Sequence, residues 1–192
     1  MSVMGQIAAV LQETRMLARL VEDLRTLAHT ESGTLTLQKE STDLAILLND
    51  TAASFAAEAS ERRIQLDVEA AANLPLVDID PVRIREVLTN LISNALRHTL
   101  ENGRVSVTAS AHADTIVIAV SDTGRGIPAE DLPRIFDRFY KGHGSRGSGL
   151  GLTIARNLVV AHGGEIRAES EEGKGTTMRV ILTLQPLPPP QS

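Results

Sequence analysis

Apolar residues near the start of the chain recur at spacings of three and four. Ile7, Val10, Leu17, Val21, Leu24 and Ala28, with Thr14 in the series, trace a heptad seam, which predicts one long helix from about Ser2 to Thr30. Leu11, Leu20 and Leu27 widen the stripe beyond a two-stranded coil, as a four-helix bundle requires. Such a face cannot be buried by one helix alone, so the pattern calls for a partner helix. Gly33 stands where a C′ glycine would stop the helix. The period then changes. Leu35–Glu40 alternates as a short strand. Ser41 or Thr42 can cap a helix from Asp43 to about Ser60, with Leu44, Leu47, Leu48 and Phe55 facing inward. Ile64–Val68 and Leu76–Ile79 read as strands. Asp80-Pro81 opens a helix that runs to about His98. Val105–Ser110 and Thr115–Ser121 form a hairpin about Ala113-Asp114. Gly124–Gly149 is a long loop broken by a short helix near Ala129–Phe136, and a loop of this length inside a compact domain is usually functional. Leu150–His162 is a helix, and Glu165–Ser170 with Thr176–Leu184 closes the fold as a hairpin through Gly173-Lys-Gly175.

These elements predict an α+β chain. It is a two-layer α/β sandwich whose sheet is rich in antiparallel pairs and carries its helices on one face, without Rossmann-type βαβ alternation. Residues 1–33 divide off as the seam-bearing helix, 34–185 as the α/β unit, and 186–192, with Pro188-Pro-Pro190, as a disordered tail.

Composition narrows the function. A length of 192 residues fits one full domain with a short appendage. No run of 18 apolar residues spans a bilayer, and Met1–Val10 lacks the basic start of a signal peptide. The chain has no cysteine, so thiolate metal sites and disulfides are excluded, in keeping with a cytoplasmic protein, tethered or not through a segment or partner outside it. A net charge of −5 without a Lys/Arg block argues against nucleic acid as a partner. Phe136, Phe139 and Tyr140 are three of only four aromatic residues, so the core is aliphatic and this cluster is either a local mini-core or the hinge of a lid.

The candidate chemistry lies in two glycine-bearing stretches and one helix. Asp122 ends a predicted strand and is followed by Thr-Gly-Arg-Gly. Its carboxylate can accept from the N6 amine of adenine, where guanine offers only an acceptor, and Gly124 and Gly126 let backbone approach a base. Read alone, the segment fits a plain turn equally well. Asn90 and Asn94 sit one turn apart on a helix, and their amide oxygens suit Mg²⁺ when ATP supplies the negative charge. Gly147-Ser-Gly149-Leu-Gly151 opens a helix whose free N–H groups point at anions. No Lys-Ser/Thr follows, so it is not a Walker loop.

The order of these motifs resembles the ATP-binding domain of sensor histidine kinases, in the GHKL (Bergerat-fold) superfamily, from the first helix to Leu184. The resemblance implies ATP and Mg²⁺ as cofactors, with Asn94 as the main metal ligand and Asn90 beside it. Asn90, Asn94 and Arg97 become the catalytic set. Asp122, Gly124, Gly126 and Thr176 hold the base, and His98 and Arg97 lie near the phosphates. Ile127–Arg146 is the lid, with Ile127, Phe139, Tyr140 and Lys141 toward the nucleotide and Arg138 and Arg146 as further cations. Gly147, Ser148, Gly149, Leu150, Gly151 and Leu152 form the phosphate loop. Glu86, one turn before Asn90, reads best as a partner of Arg83 or Arg85. ATP hydrolases of the superfamily carry Glu where Asn90 stands, and an amide cannot act as that base.

The family's phospho-acceptor opens a His-Glu/Asp-x-Arg/Lys-x-Pro motif. None of His29, His98, His112, His143 or His162 has that context. By resemblance, Met16–Leu24 belongs to the second helix of the acceptor hairpin. The acceptor is then either on a preceding segment in cis or on a separate partner chain in trans, and Met1 just before this helix favours the second arrangement. The expected partners are that acceptor domain, a dimer or hetero-oligomer partner on the seam of residues 7–28, and a response regulator downstream. The rival readings are a nucleotide-binding adaptor or pseudokinase, another GHKL ATPase of the gyrase, MutL or Hsp90 type, and an anti-sigma-type serine kinase.

Overall fold

The computed structural model describes residues 14, 17, 18, 20–30, 32–142 and 148–184. The N-terminal seam from Ile7 to Val10, residues 143–147 and the proline-rich tail lie outside them. Helix α1 covers residues 20–30, with Thr14, Leu17 and Ala18 also helical. It ends as the sequence predicts: Gly33 has φ +66°, and Thr34 N–H donates 3.1 Å to the His29 carbonyl, the six-to-one bond of a Schellman cap.

The remaining elements follow in the order β1 Glu40–Thr42, α2 Leu44–Ala53, α3 Ala56–Glu61, β2 Gln65–Ala70, β3 Val77–Ile79, α4 Pro81–His98, β4 Arg104–His112, β5 Thr115–Asp122, α5 Gly151–Ala161, β6 Glu165–Glu171 and β7 Gly175–Thr183. A five-stranded sheet runs β2-β4-β5-β7-β6, and β1 pairs with β3 as a separate ribbon. Every pair in the main sheet is antiparallel except β2 with β4. That parallel pair is joined by a crossover through β3 and α4. Helices α2, α4 and α5 pack side by side and touch β2, β5 and β6 respectively, which gives the two-layer sandwich.

Alternation along the strands explains the layering. Val105, Val107, Ile116, Ile118, Met178 and Val180 are buried toward the helices, where Ile84, Leu88, Leu91, Ile154 and Leu158 meet them. Each such side chain withdrawn from water contributes about 1.5–3 kcal/mol. The core is aliphatic, as the scarcity of aromatics requires.

Three local expectations are corrected. The strand expected at Leu35–Glu40 pairs only over Glu40–Thr42. Ahead of it, Gln38 N–H donates to the Asp80 carboxylate at 2.9 Å, so a side chain, not a neighbouring strand, holds this stretch. The helix expected from Asp43 to Ser60 is capped by Asp43 itself, which accepts from Ile46 N–H, and it breaks at Ser54-Phe55. There Thr51 and Ser54 hydroxyls donate to the carbonyls of Leu47 and Thr51, at 2.6 Å each, competing with the backbone ladder. In the long loop, the expected helix near Ala129–Phe136 shrinks to a single 3₁₀ turn at Leu132–Arg134.

The start of α4 is fixed by Asp80. Its carboxylate accepts from Val82 and Arg83 N–H at 3.1 Å each and from Gln38. Its own N–H donates to His162 Nε2 at 3.2 Å. His162 Nδ1 then carries the proton that goes to the Leu158 carbonyl at 2.7 Å. One buried acid thus joins the segment before β1, the start of α4 and the end of α5.

Helix α1 has two faces. Thr26 and Leu27 are buried against the domain, and Asn157 Nδ2 of α5 donates to Thr30 at 3.3 Å. Leu17, Val21 and Leu24, three members of the predicted seam, are exposed. Leu27, which the sequence assigned to a widened bundle stripe, is spent instead on the chain's own core. Among the described residues, no helix is long and apolar enough to cross a membrane.

Candidate functional site

Helix α4 buries Ile84, Val87, Leu88, Leu91, Ile92, Ala95 and Leu96 and turns the opposite stripe outward. Asn90, Ser93, Asn94, Arg97 and His98 share that stripe at helical spacing. They line a cavity of about 760 Å³, within the size range of small-ligand sites. The far wall comes from the end of β5 and the start of β7, through Asp122 and Thr176, and from the loop after Asp122, through Arg125, Gly126, Ile127 and Pro128. Ser148, Gly149, Gly151 and Leu152 at the head of α5 form the floor, and Asp131, Tyr140, Lys141 and Gly142 overhang it. The first turn of an eleven-residue helix therefore presents its N–H groups to the cavity.

Asp122 is half-buried at the end of its strand. Desolvation raises its carboxyl above the ordinary range, against the lowering effect of N–H donors from Gly124 and Thr176. The Gly124 bond to Oδ1 measures 2.8 Å. A side chain at Gly124 would collide with the His98 carbonyl oxygen, so the carboxylate turn and the end of α4 can meet only over glycine. His98 is held down to about 4, first by burial and then by Arg125 and Arg97. It is a neutral imidazole at neutral pH. Asn90 is buried, and its Oδ1 would lie 3.2 Å from a Cβ on Gly151, which sets this amide against the start of α5.

The overhang is built from contacts within the loop. Tyr140 hydrogen-bonds Asp131, the main cause of its raised hydroxyl pKa. Arg134 stacks 4.8 Å from the Tyr140 ring centre, and Phe139 N–H donates to the Gly149 carbonyl at 2.9 Å. Gly149 has φ +72°, and a Cβ there would sit 2.8 Å from Phe139 backbone atoms; glycine alone permits this closure. Phe136 is half-buried, with its carbonyl accepting from Thr153 at 2.9 Å.

Of the residues singled out in the sequence, Asn90, Asn94, Arg97, His98, Asp122, Gly126, Ile127, Tyr140, Lys141, Ser148, Gly149, Gly151, Leu152 and Thr176 face one cavity. Gly124 lies beneath it. Leu150 is buried in the core instead, 1% exposed, and Phe139 points outward, 64% exposed; both hold the loop by packing or backbone, not as cavity wall. Gly147 and Arg146 lie outside the described residues. Glu86 pairs with Arg83 at 3.0 Å and takes no part in the lining. The sequence reading omitted Leu20, Asp23, Ser93, Arg125, Asp131 and Glu172, all of which line the cavity. Ser93 was findable, since it falls between Asn90 and Arg97 on the same stripe. Arg125 was findable as well, since it lies inside Asp122-Thr-Gly-Arg-Gly; the others reach the site only through tertiary packing.

Among the described residues, no group of three or more His, Cys, Asp or Glu could hold a metal ion. On the α4 side the cavity wall offers the amide oxygens of Asn90 and Asn94, a pair that fits a hard cation arriving with phosphate ligands of its own.

The likenesses to known proteins agree with this geometry. Residues 79–186 match the family described as histidine kinase-, DNA gyrase B- and HSP90-like ATPase. The signal transduction histidine-protein kinase AfsQ2 of Streptomyces coelicolor is 41% identical over 184 residues, covering 94% of this chain and 33% of that protein. Full-length ShkA, solved in complex with AMPPNP, superposes with a TM-score of 0.85 at 29% identity, over 94% of this chain and 39% of that one. Histidine kinase ThkA, solved in complex with the response regulator protein TrrA, gives 0.73 at 25% identity, over 90% of this chain and 49% of that one. The chain spans about a third of the length of the curated relatives it matches. By motif order, fold and likeness, the chain belongs to the histidine kinase-, DNA gyrase B- and HSP90-like ATPase family, on its sensor histidine kinase branch.

Proposed function

We propose that this chain binds Mg-ATP in the cavity between α4 and the overhanging loop and transfers the γ-phosphoryl to a histidine on another segment or chain. The observation that carries the reading is the convergence of Asn90, Asn94, Asp122 and the first turn of α5 on one cavity. Asp122 accepts from the adenine amine. The head of α5 holds phosphate oxygens on its free N–H groups. Asn94, with Asn90 beside it, would hold Mg²⁺, which would supply positive charge against the phosphates. Arg97 and Lys141 add positive charge at the rim, and neutral His98 offers hydrogen bonds without repelling either arginine. The complex of ShkA with AMPPNP, an ATP analogue, supports the nucleotide.

Phosphoryl transfer of this kind is positioning and charge neutralisation. The exposed Leu17, Val21 and Leu24 supply the apolar face on which an acceptor helix docks. A response regulator then takes the phosphoryl group, a step supported by the ThkA–TrrA complex. Such a chain works in the cytoplasm. Asn90 favours transfer over hydrolysis, because an amide cannot accept a proton from water.

The test supplies γ-labelled ATP to the chain with and without a separate hairpin carrying a His-Glu/Asp-x-Arg/Lys-x-Pro helix. Acid-labile label is expected on the hairpin, with negligible sustained phosphate release. Asn94→Ala should lower the transfer rate at least about a hundredfold, as does removal of a single group that stabilises developing charge. Steady ATP hydrolysis without transfer would contradict the proposal.

A further inference from the structure

Behind Asp122 a single hydroxyl joins three parts of the site. Ser170 lies on β6 and pairs with Thr176 across the ladder to β7. It accepts from Ile127 N–H at 2.8 Å, donates to the Gly175 carbonyl at 2.8 Å and stands 2.9 Å from the Thr176 hydroxyl. A serine hydroxyl owns one proton and two lone pairs. The Gly175 carbonyl can only accept, so it takes that proton. The Ile127 amide fills one lone pair, and the second faces Thr176. The Thr176 hydroxyl must then be the donor in their contact. Its proton is turned away from the cavity, and only lone pairs remain on the side that Thr176 presents to the ligand. Asp122, which pairs with Thr176 across the β5–β7 ladder, offers acceptors alone as well.

We propose that Ser170 is a positioning residue for base selection. By fixing Thr176 as an acceptor beside Asp122, it makes this corner of the cavity favour a nucleotide whose base edge carries an amine and disfavour a 6-oxo purine. The same hydroxyl moors Ile127, so the root of the overhanging loop and the selective corner share one support. The proposal rests on the ATP-binding reading above. Without Ser170 the Thr176 hydroxyl is free to rotate and donate, and a 6-oxo group gains a partner that the native arrangement denies it.

Calorimetric titration of the full chain with Mg-ATP and Mg-ITP, which differ at the 6-position, tests this. The wild type is expected to prefer ATP. Ser170→Ala should shrink the ATP-to-ITP affinity ratio about fivefold or more, the scale of one rearranged hydrogen bond, and Ser170→Thr should restore it. Should the alanine variant not melt cooperatively, Ser170→Cys, nearly the same shape with a feeble hydrogen bond, provides the same reading. In a Thr176→Val background the alanine change should leave the ratio where it is, because the group it orients is gone. An unchanged ratio in Ser170→Ala or Ser170→Cys, or equal weakening of both nucleotides, would mean that Ser170 is merely structural and overturn the proposal. Uptake of neither nucleotide by the wild type would instead strike the ATP-binding reading itself, and the proposal with it.

Discussion

At the scale of single residues, burial favours the neutral form of each titrating group and so shifts histidines and carboxyls in opposite directions. His98 is lowered to about 4 by desolvation and two arginines, and His162 is lowered first by desolvation. In each case the unfolded chain binds a proton before the folded one does. Their contribution to stability is therefore complete above the unfolded value near 6.5 and is lost as pH falls through the folded value. Asp122 is raised and acts with the opposite sign, its contribution present at the acid end and lost as pH rises through its folded value. Urea denaturation between pH 7 and pH 4.5 should thus show a steeper loss for the wild type than for His98→Gln, in which one of the titrating groups is gone. Parallel profiles would contradict this. Asp80 makes a separate case. It accepts from three backbone N–H groups in part-buried bonds, so Asp80→Ala removes the cap of α4 and should cost about 1–2 kcal/mol, read as a lowered urea midpoint with an unchanged slope.

At the scale of elements, α4 and α1 show two ways in which a helix serves the site. Helix α4 buries one stripe and lends the other to the cavity. Helix α1 divides its apolar residues between the chain's own core and a face left open. Leu27→Ala should therefore destabilise the isolated chain by about 2–3 kcal/mol, while Val21→Ser and Leu24→Ser stay within about 0.5 kcal/mol; equal costs on both faces would contradict the division. Helix α4 was legible from residues 80–98 because its cap, its proline and its periodicity are all local signals. So were the helix at residues 20–30, the Gly33 stop and the two hairpins. The break at Ser54-Phe55 was not, since hydroxyl back-bonding in an alanine-rich stretch leaves no trace in an apolar pattern. The extended stretch before β1 was misread as a strand because Leu35 and Leu37 alternate, while its backbone partner is the distant carboxylate of Asp80. In the cavity, the motif residues were visible as motifs. Asp23, Asp131 and Glu172 enter it from a helix, a loop and a turn far apart in sequence, and no spacing rule connects them. Phe139 and Leu150 belong to the motifs but not to the cavity wall, since one is exposed and the other is buried in the core.

At the scale of the whole molecule, the sheet, the three packed helices and the overhanging loop bring a carboxylate, two amides and a helix head to one cavity, while α1 leaves Leu17, Val21 and Leu24 exposed. Under the proposed function, this arrangement lets a chain whose histidines all lack the acceptor context serve transfer to a histidine held elsewhere. The proposed transfer presupposes that the cavity takes up Mg-ATP. The most direct measurement is calorimetric titration of the chain with ATP in the presence of magnesium, repeated for Asp122→Ala. The wild type should bind one nucleotide per chain, and the variant should bind it roughly ten- to a hundredfold more weakly, as expected for the loss of one charge-assisted hydrogen bond of about 1.5–3 kcal/mol. No heat of binding in the wild type, or equal affinity in the two proteins, would contradict the account.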